Sequence, residues 1–496
     1  MPEISAAIPP AKSHAPEEEV SLFHTGRIGP RQPGDPCPLS FPQQRLWFLD
    51  QLQPGSSTYN IPYAFRIRGD LNVPALQKAL NALVERHHVL RTMFASVNGD
   101  PLPVVANEWN LELRQIDLRS LPPDQRDRKR EELLLDFAAR PFDFARDLML
   151  RAMLIRVSDQ EYWFVHVSHH IAWEYWSTTI LYRDLGPLYE QFAAGRPARL
   201  PELAVQYADF ALWQRRFLSG PILEKLISYW RNELAGAPAA IRLPIDKPRP
   251  PVHTLRGARL PISLDGDTLT AAKALSLQSG VTPFMSLCAA FNVLLYCCTA
   301  QTDICIGSPV SRPKRAETEN LIGFFVNTLV LRTRLDGKLS FRQLMARISR
   351  CVLGAILHGD LPFDKLVEAV KPPRDLSRMP LFQVNFRVQR EPLAALQMHG
   401  LIADPPGWID NGTTKFDMSL EIVATGGAEG FFEYSTDLFE RSTIETFVTD
   451  FKSLLHELIS LPDSPLDSVP AVRAVQSHYR SGISLRGPRA LTPRWK

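Results

Sequence analysis

The chain has 496 residues, a formal net charge of +3 and six cysteines. This length exceeds what one hydrophobic core usually organises, so we expect two domains. Acidic and basic totals nearly cancel, so overall charge gives no reason to expect a nucleic acid or a charged membrane surface as a partner. The cysteines show no CxxC spacing, which predicts reduced thiols in a cytoplasmic protein rather than a disulfide framework.

Composition divides the chain into five segments. Residues 1–36 are rich in proline, alanine and charge and have no hydrophobic period, so we expect this segment to be disordered. It also lacks the apolar stretch of a signal peptide, so we expect no signal peptide here. The segments that follow are an N-terminal lobe over 37–234, a proline-dense linker over 235–256, a C-terminal lobe over 257–470 and a basic flexible tail over 471–496.

Both predicted lobes alternate helices with strands. In the first lobe, Leu76, Leu80 and Leu83 recur at i, i+4 and i+7 and predict an amphipathic helix. The second lobe opens with a strand, a helix and a very apolar segment over 282–298. That segment is shorter than the ~20 residues of a membrane span and carries Asn292, so we predict a buried helix. The predicted fold class is α/β, of the α+β type, in two similar lobes.

Two adjacent histidines, His169 and His170, follow a predicted strand. Residues 162–167 are aromatic and β-branched, as in a buried strand, and Ser177 with Thr178 offers an N-cap for the helix that follows. An imidazole held between two rigid elements, with an unperturbed pKa of about 6.5, is mostly neutral at pH 7 and able to accept a proton from a nucleophile. The pattern therefore predicts a general base.

Three other interpretations of this segment stay open on the residues alone. Either histidine is equally well a satisfied core residue, or the two form a structural pair without chemistry. The third is a metal site built from His166, His169, His170 and Glu174. Residues 166 and 170 would lie roughly 13 Å apart on a strand, which disfavours the metal site.

Seven short motifs follow one another through the chain. They read SFPQQRLWFL at 40–49, RHHVLRTMF at 86–94, SHHIAWEYWS at 168–177, YADFALW at 207–213, IGFFVNTLVLR at 322–332, HGDLPFDKLVE at 358–368 and RDLSRMPLFQ at 374–383. Together they closely resemble the condensation domains of nonribosomal peptide synthetases, over about residues 38–470. The stretch RLWFLDQLQPG at 45–55 is most similar to the subgroup that takes an L-configured donor.

The resemblance implies two chloramphenicol-acetyltransferase-like lobes arranged as a V, with a tunnel between them. Donor and acceptor carrier proteins would supply phosphopantetheine arms, one carrying an acyl, aminoacyl or peptidyl thioester and the other an amine. By position, His170 would be the catalytic base or positioning group and His169 its structural neighbour. An amide, or an ester, would form with no bound cofactor and no metal. We expect a monomer that works with carrier proteins and small-molecule substrates, and with neither nucleic acid nor a membrane.

The sequence departs from the family's HHxxxDG motif, since it reads HHIAWEY. Glu174 replaces the aspartate, which in the family is thought to pair with an arginine, and we predict Arg91 as its partner, with Arg86 and Arg151 as substitutes. Tyr175 replaces a glycine, so a conformation with φ above zero would be resisted. His88 also stands where the family usually has glutamate.

Tyr175 is also predicted to line the tunnel, where its side chain would narrow the acceptor side, replace a lost contact through its hydroxyl or close the site. Further tunnel-lining residues are predicted from the same motifs. Trp176 and Ser177 follow the histidine motif, and Asn327 and the run from Gly307 to Arg312, which includes Ser308, lie in the second lobe. For Asn327 and the 307–312 run, simple strand packing is an equally good interpretation.

Two functions are consistent with these departures. The first is an active condensation enzyme, and the second is a catalytically silent platform that binds a carrier protein and recruits another enzyme. A free-standing acyltransferase acting on a coenzyme A thioester fits less well because the carrier-type motifs are complete. Donor, acceptor and the choice between amide and ester are not encoded in a recognisable pattern.

Overall fold

A computed structural model of the chain describes residues 26–311, 315–389, 393, 395–424 and 428–483. The elements of the first half are α1 (Phe41–Leu52), β1 (Asn60–Arg68), α2 (Val73–Arg86), β2 (Thr92–Val97), β3 (Asp100–Val105), β4 (Leu113–Asp117), α3 (Pro123–Ala139), β5 (Leu150–Ser158), β6 (Glu161–His169), α4 (Tyr175–Ala193), α5 (Tyr207–Phe217) and α6 (Gly220–Glu233). The elements of the second half are β7 (Gly257–Leu264), α7 (Gly266–Gln278), α8 (Pro283–Thr299), β8 (Asp303–Val310), β9 (Asn327–Arg334), α9 (Phe341–Leu357), α10 (Phe363–Val370), β10 (Val384–Gln389), β11 (Ile402–Ala403), β12 (Gly407–Trp408), β13 (Met418–Ala424), β14 (Ala428–Ser435), α11 (Arg441–Ser460) and α12 (Pro470–Ile483).

The first sheet is built around β6, the strand that ends at His169. Its order is β11–β1–β6–β5–β4, and β12 also pairs with β1. Because β6 has neighbours on both sides, its backbone polar groups are paired along its length. Its aromatic and β-branched residues are buried, apart from the half-buried Trp163. Helices α2 and α4 pack against each other in this lobe. The end of β6, and therefore the histidine pair, is held by a rigid frame.

The second sheet has the order β7–β14–β13–β10–β8–β9 and packs on α8 and its neighbours. Almost every residue of α8 is buried, because α7, α9, α11 and α12 all contact it. The polar Asn292 is tolerated there because its side-chain amide donates to the Cys288 carbonyl at 2.9 Å. The predicted buried helix is confirmed.

The lobe boundaries differ from the predicted ones in several places. One is the segment with Leu321, Ile322 and Phe324, which lies within the predicted C-terminal lobe but is buried in the N-terminal core. Helix α6 lies before the predicted boundary at residue 234, yet Leu226 and Trp230 are buried in the core of the C-terminal lobe. Conversely, residues 393–409 lie within the predicted C-terminal lobe, but Leu396 and Met398 are buried in the N-terminal core, and β11 and β12 extend the first sheet. Composition along the chain does not reveal a segment that crosses between two equally apolar cores.

The predicted disordered N-terminal segment and basic tail are each wrong in part. Ile28 is 1% exposed within the N-terminal core, and Arg31 donates from its backbone and side chain to Asp209. Residues 470–483 form α12, whose Val472 and Tyr479 are buried in the C-terminal core. Its apolar residues recur at helical spacing between arginines. The basic composition of this segment gives no sign of that pattern, so composition alone predicted a flexible tail. Residues 1–25 and 484–496 lie outside the described residues.

Among the described residues, no single helix has the length and apolar character needed to cross a membrane. Helices α7 and α8 meet those criteria only as a pair, and this pair is bent by 109° at its junction.

Candidate active site

His170 lies one residue beyond the end of β6, where the chain turns towards α4. Its backbone N–H donates to the Tyr59 carbonyl at 2.9 Å, which fixes the turn to the segment before β1. Its ring nitrogen Nδ1 lies 2.7 Å from the Trp173 carbonyl oxygen. A carbonyl only accepts, so Nδ1 carries the hydrogen and Nε2 keeps its lone pair. Within the described part of the chain, no side chain or backbone group hydrogen-bonds Nε2.

The surroundings of the His170 ring keep it uncharged. The half-buried ring lies 4.5 Å from the Phe324 ring and 6.4 Å from the Tyr59 ring, measured between centroids. Burial, and after it the positive charge of Lys415, lowers the pKa of His170 well below its ordinary value of 6.5. At neutral pH the side chain is therefore a neutral imidazole whose free nitrogen can accept a proton.

His169 and His166 have structural surroundings instead. His169 lies edge-on to Phe142 and Phe144, and its Nδ1 accepts from the Ile171 N–H at 3.2 Å. His166 Nε2 hydrogen-bonds the Tyr182 hydroxyl at 2.8 Å. Burial lowers the pKa of both histidines to about 3. In the described ranges, no three histidine, cysteine or acidic side chains meet as metal ligands do, so the residues give the metal interpretation no support.

Glu174 is the N-cap of α4, so the cap lies three residues before the predicted cap at Ser177. Its Oε1 accepts from the Ser311 hydroxyl at 2.7 Å, which links α4 to the chain that follows β8. Oε2 is buried and makes no hydrogen bond within the described residues. Burial is the main cause that raises the Glu174 pKa, to about 7, and it is opposed first by the Ser311 hydrogen bond and then by the backbone groups of Val326 and Phe325.

The predicted ion pair between Glu174 and an arginine is wrong for all three candidates. Arg91 donates to the Ala106 carbonyl and stacks over Trp109 at 4.2 Å. Arg86 pairs with Asp184 at 3.2 Å, and Arg151 stacks over Phe142 at 4.0 Å. Each arginine finds its partners inside the N-terminal lobe, whereas the Glu174 carboxylate faces a residue of the other lobe. The order of motifs along the chain does not show towards which lobe each of these side chains points.

We expect the protonation of Glu174 to make stability depend on pH. A carboxyl whose pKa is higher in the folded state than the 4.5 of the free group binds its proton more tightly when folded. Its contribution to stability is complete below pH 4.5 and is lost as the pH rises to about 7. Glu174→Gln stays neutral and can still accept from Ser311. It should match the wild type near pH 4.5 and exceed it at pH 8 by up to about 3 kcal/mol.

Urea unfolding of the wild type and Glu174→Gln at both pH values measures this difference. A variant that is less stable than the wild type at pH 8 would contradict the assignment, because it would show that the carboxylate is stabilised by a charge.

Tyr175 is the first residue of α4, and its φ is not positive. The backbone here is therefore one that any residue adopts, and the loss of the family's glycine causes no backbone strain. The Tyr175 hydroxyl accepts a hydrogen bond from the Gln389 side chain at the end of β10. This contact is a second link between α4 and the C-terminal lobe.

Trp176 and Ser177 contact a segment of the second lobe rather than the histidine ring. Trp176 is 37% exposed, and its indole N–H donates to the Glu319 carbonyl at 3.0 Å. Ser177 is fully buried, where its hydroxyl donates to the Gly323 carbonyl and accepts from the Glu174 N–H. Gly323 is required at this crossing, because a Cβ there would lie 2.1 Å from the Tyr207 ring. Ser177 therefore positions the loop that carries Phe324.

The second-lobe residues predicted to line a tunnel are used in packing. The side-chain amide of Asn327 donates to the Gly359 and Leu361 carbonyls and accepts from the Phe363 N–H. Both side-chain N–H groups and the side-chain oxygen of Asn327 bond the backbone of residues 359–363, which favours the packing interpretation. Ser308 is 3% exposed on β8, opposite Leu329. Arg312 lies outside the described residues.

Three residues around His170 were not predicted as site residues: Tyr59, Phe324 and Lys415. The Tyr59 ring lies 6.4 Å from the His170 ring, measured between centroids, and the Lys415 ammonium lies 4.5 Å from the Tyr59 ring centroid. These contacts join positions far apart in the chain, so no local spacing signals them. The weak sequence signal was a lysine three residues before the strand β13.

With this geometry established, the family follows from comparison. The Condensation domain family profile matches residues 35–478 of the chain. The chain belongs to the condensation domain family. The resemblance stated from the seven motifs is confirmed, whereas the L-donor subgroup stays a prediction.

Relatives and solved structures agree with this assignment. A component of linear gramicidin synthase from Brevibacillus parabrevis is 42% identical over 441 residues, which are 88% of this chain and 9% of that protein. The condensation domain thus spans less than a tenth of this relative's length. The X-domain from teicoplanin biosynthesis matches with a TM-score of 0.82 at 26% identity, over 90% of this chain and 99% of that one.

The complex of the X-domain and OxyB from teicoplanin biosynthesis gives a TM-score of 0.81 at 26% identity, over 90% of this chain and 98% of that one. These matches confirm the predicted α/β fold with two chloramphenicol-acetyltransferase-like lobes.

Proposed function

We propose that this condensation domain joins a carrier-bound acyl, aminoacyl or peptidyl thioester to an amine and so forms an amide bond in nonribosomal peptide synthesis. The observation that carries the proposal is the state of His170. Its Nδ1–H is bound to the Trp173 carbonyl, its pKa is lowered by burial, and its Nε2 is left as an acceptor on a half-buried ring. This is the arrangement that a general base or an amine-positioning group requires.

The proposed reaction is the attack of an amine on a thioester. The amine nitrogen attacks the thioester carbonyl carbon, and Nε2 of His170 accepts the proton that the nitrogen loses. The carbon–sulfur bond then breaks, and this proton passes from His170 to the leaving sulfur, which is released as the thiol of the carrier arm. The products are an amide and a free thiol. Holding the two reactants together supplies most of the acceleration, since effective molarities of about 10⁵ M correspond to about 7 kcal/mol.

The partners in this proposal are a donor and an acceptor carrier protein. Each would present its substrate on a phosphopantetheine arm that belongs to the carrier, so the domain itself needs no cofactor. The motif RLWFLDQLQPG supports an L-configured donor, and the two lobes would offer the arms opposite approaches to His170 through a tunnel.

A silent platform remains the second candidate, and two observations favour it. The Glu174 carboxylate has no cationic partner among the described residues, and Tyr175 fills the position of the family's glycine with a side chain bonded to the other lobe. In addition, a solved complex joins a structurally similar X-domain to OxyB. In this candidate, the domain would bind a carrier and recruit another protein without forming a bond.

Reconstitution with purified carriers separates the two. The donor carrier is loaded with a series of L-aminoacyl groups, the acceptor carrier with amino acids, and product is followed by mass spectrometry of the released arms. An amide product that needs the domain supports the condensation enzyme. Calorimetric binding of loaded carrier with no product across the whole series would support the platform instead.

A further inference from the structure

Among the described residues, most charged side chains near the junction of the two lobes form ion pairs, whereas Lys415 does not. Arg259 pairs with Glu433 at 2.8 Å, and Arg387 pairs with Glu421. Arg45 of α1 pairs with Asp364 of α10 at 3.3 Å. Within the described parts of the chain, Lys415 has no acidic group at ion-pair distance.

The acid that acts most strongly on Lys415 is already engaged. Glu433 accepts from Arg259 through Oε2 and from the Thr414 hydroxyl through Oε1 at 3.1 Å. The other charges that act on the Lys415 ammonium are the guanidinium groups of Arg45, Arg387 and Arg259, all of which repel it. With burial as the main cause, its pKa falls to about 8. A half-buried ammonium in this setting would be stabilised by an anion, and the described residues leave none free to pair with it.

The position of Lys415 is fixed beside the histidine. Its ammonium lies over the Tyr59 ring, and the Tyr59 ring lies 6.4 Å from the rings of both His169 and His170. The segment that carries Lys415 is tied to the segment that carries Tyr59, because the Asn411 side chain donates to the Ser57 carbonyl at 3.3 Å. The charge of Lys415 is also the second cause that lowers the pKa of His170.

We propose that Lys415 is a specificity-determining residue that binds a carboxylate carried by one of the two substrates, so that acidic aminoacyl or acyl groups are preferred. The inference rests on the proposed function, since it takes His170 as the reaction centre. In the bound substrates neither the thioester nor the amine carries a negative charge, and the phosphate of each arm lies at the opposite end of the arm from the reacting group. An anion held beside His170 before the reaction would therefore come from the variable part of a substrate. A side-chain carboxylate completes the contacts of the ammonium with a charge-assisted hydrogen bond.

The test is a binding measurement that does not require catalysis. Two stable pantetheine amides serve as probes, one carrying a glutamyl group and the other a glutaminyl group, which have nearly the same size and differ in charge. Calorimetry at low salt should show that the wild type binds the glutamyl probe about tenfold more tightly than the glutaminyl probe. In Lys415→Met the ratio of the two dissociation constants should fall to about one.

Lys338→Met is the matched control, because Lys338 is an exposed lysine in the turn before α9. It should keep the wild-type ratio. The proposal is overturned if the wild type shows no preference, including no binding of either probe, or if Lys415→Met keeps the preference. A loss of amide formation in reconstitution, with the binding preference intact, would count against the proposed function alone.

Discussion

Replacing His170 by alanine is expected to lower the rate of amide formation about 10²–10⁴-fold. The variant removes the neutral Nε2 acceptor that the Trp173 carbonyl holds in place through Nδ1. The carrier-binding surfaces should be unaffected, so the Kd for loaded carrier should stay near that of the wild type while the turnover rate falls. Single-turnover reactions with preloaded carriers, quenched and analysed by mass spectrometry, measure the chemical step directly.

A matched histidine variant controls for the loss of an imidazole as such. His456 is an exposed histidine on α11, remote in sequence from the motif, and His456→Ala should retain the wild-type rate. His170→Gln adds a second comparison, because its amide can keep a hydrogen bond to the Trp173 carbonyl but offers no basic nitrogen. Equal rates for His170→Ala and the wild type would refute a role for this ring in the reaction.

The lowered pKa of His170 predicts the shape of the pH profile. The ring stays neutral well below pH 6.5, so His170 itself should give no loss of rate between pH 8 and pH 6. A step in rate centred near pH 6.5, present in the wild type and absent in His170→Gln, would show that the ring is more exposed to solvent than its contacts with Phe324 and Tyr59 imply. The pH profile and the alanine variant therefore examine the same imidazole through independent measurements.

The parts of this structure that sequence predicts well are those decided by local patterns. The strand before the histidines and the buried helix α8 both follow from residue types within one element, and the structure contains both. The position of His170 at the end of a strand follows from the same signal. The seven motifs then identify the family, because their order carries information that no single element has.

The parts that sequence predicts poorly are those decided by contacts between distant segments. Glu174 accepts a hydrogen bond from Ser311, which is 137 residues away in the chain. Its predicted partner Arg91 instead stacks over Trp109 within its own lobe. Residues 395–409 pack on the first lobe, although their composition does not differ from that of the second lobe. The role inferred for Lys415 depends on whether the acidic side chains near it already form ion pairs. The sequence does not show this, because the pairing of Glu433 with Arg259 is a contact between distant segments.

Trp173 connects the stability of the N-terminal core to the geometry of the site. Its side chain is fully buried, its indole N–H donates to the Thr178 hydroxyl at 3.0 Å, and its carbonyl holds Nδ1 of His170. Replacing it by alanine removes a large ring from a packed core and leaves a cavity that neighbours fill only in part. The free energy of unfolding should fall by about 3–5 kcal/mol, measured by urea titration with far-UV circular dichroism.

Trp176 provides the control, since it is the same residue type three positions further along. It is 37% exposed and makes one hydrogen bond, to the Glu319 carbonyl, so Trp176→Ala should cost less than about 1 kcal/mol. The backbone carbonyl of residue 173 persists in the alanine variant, but the turn that aims it loses its anchor in the core. Folded Trp173→Ala protein should therefore also form amide more slowly than Trp176→Ala. Equal destabilisation by the two substitutions would contradict the burial of Trp173, and with it the rigid support inferred for His170.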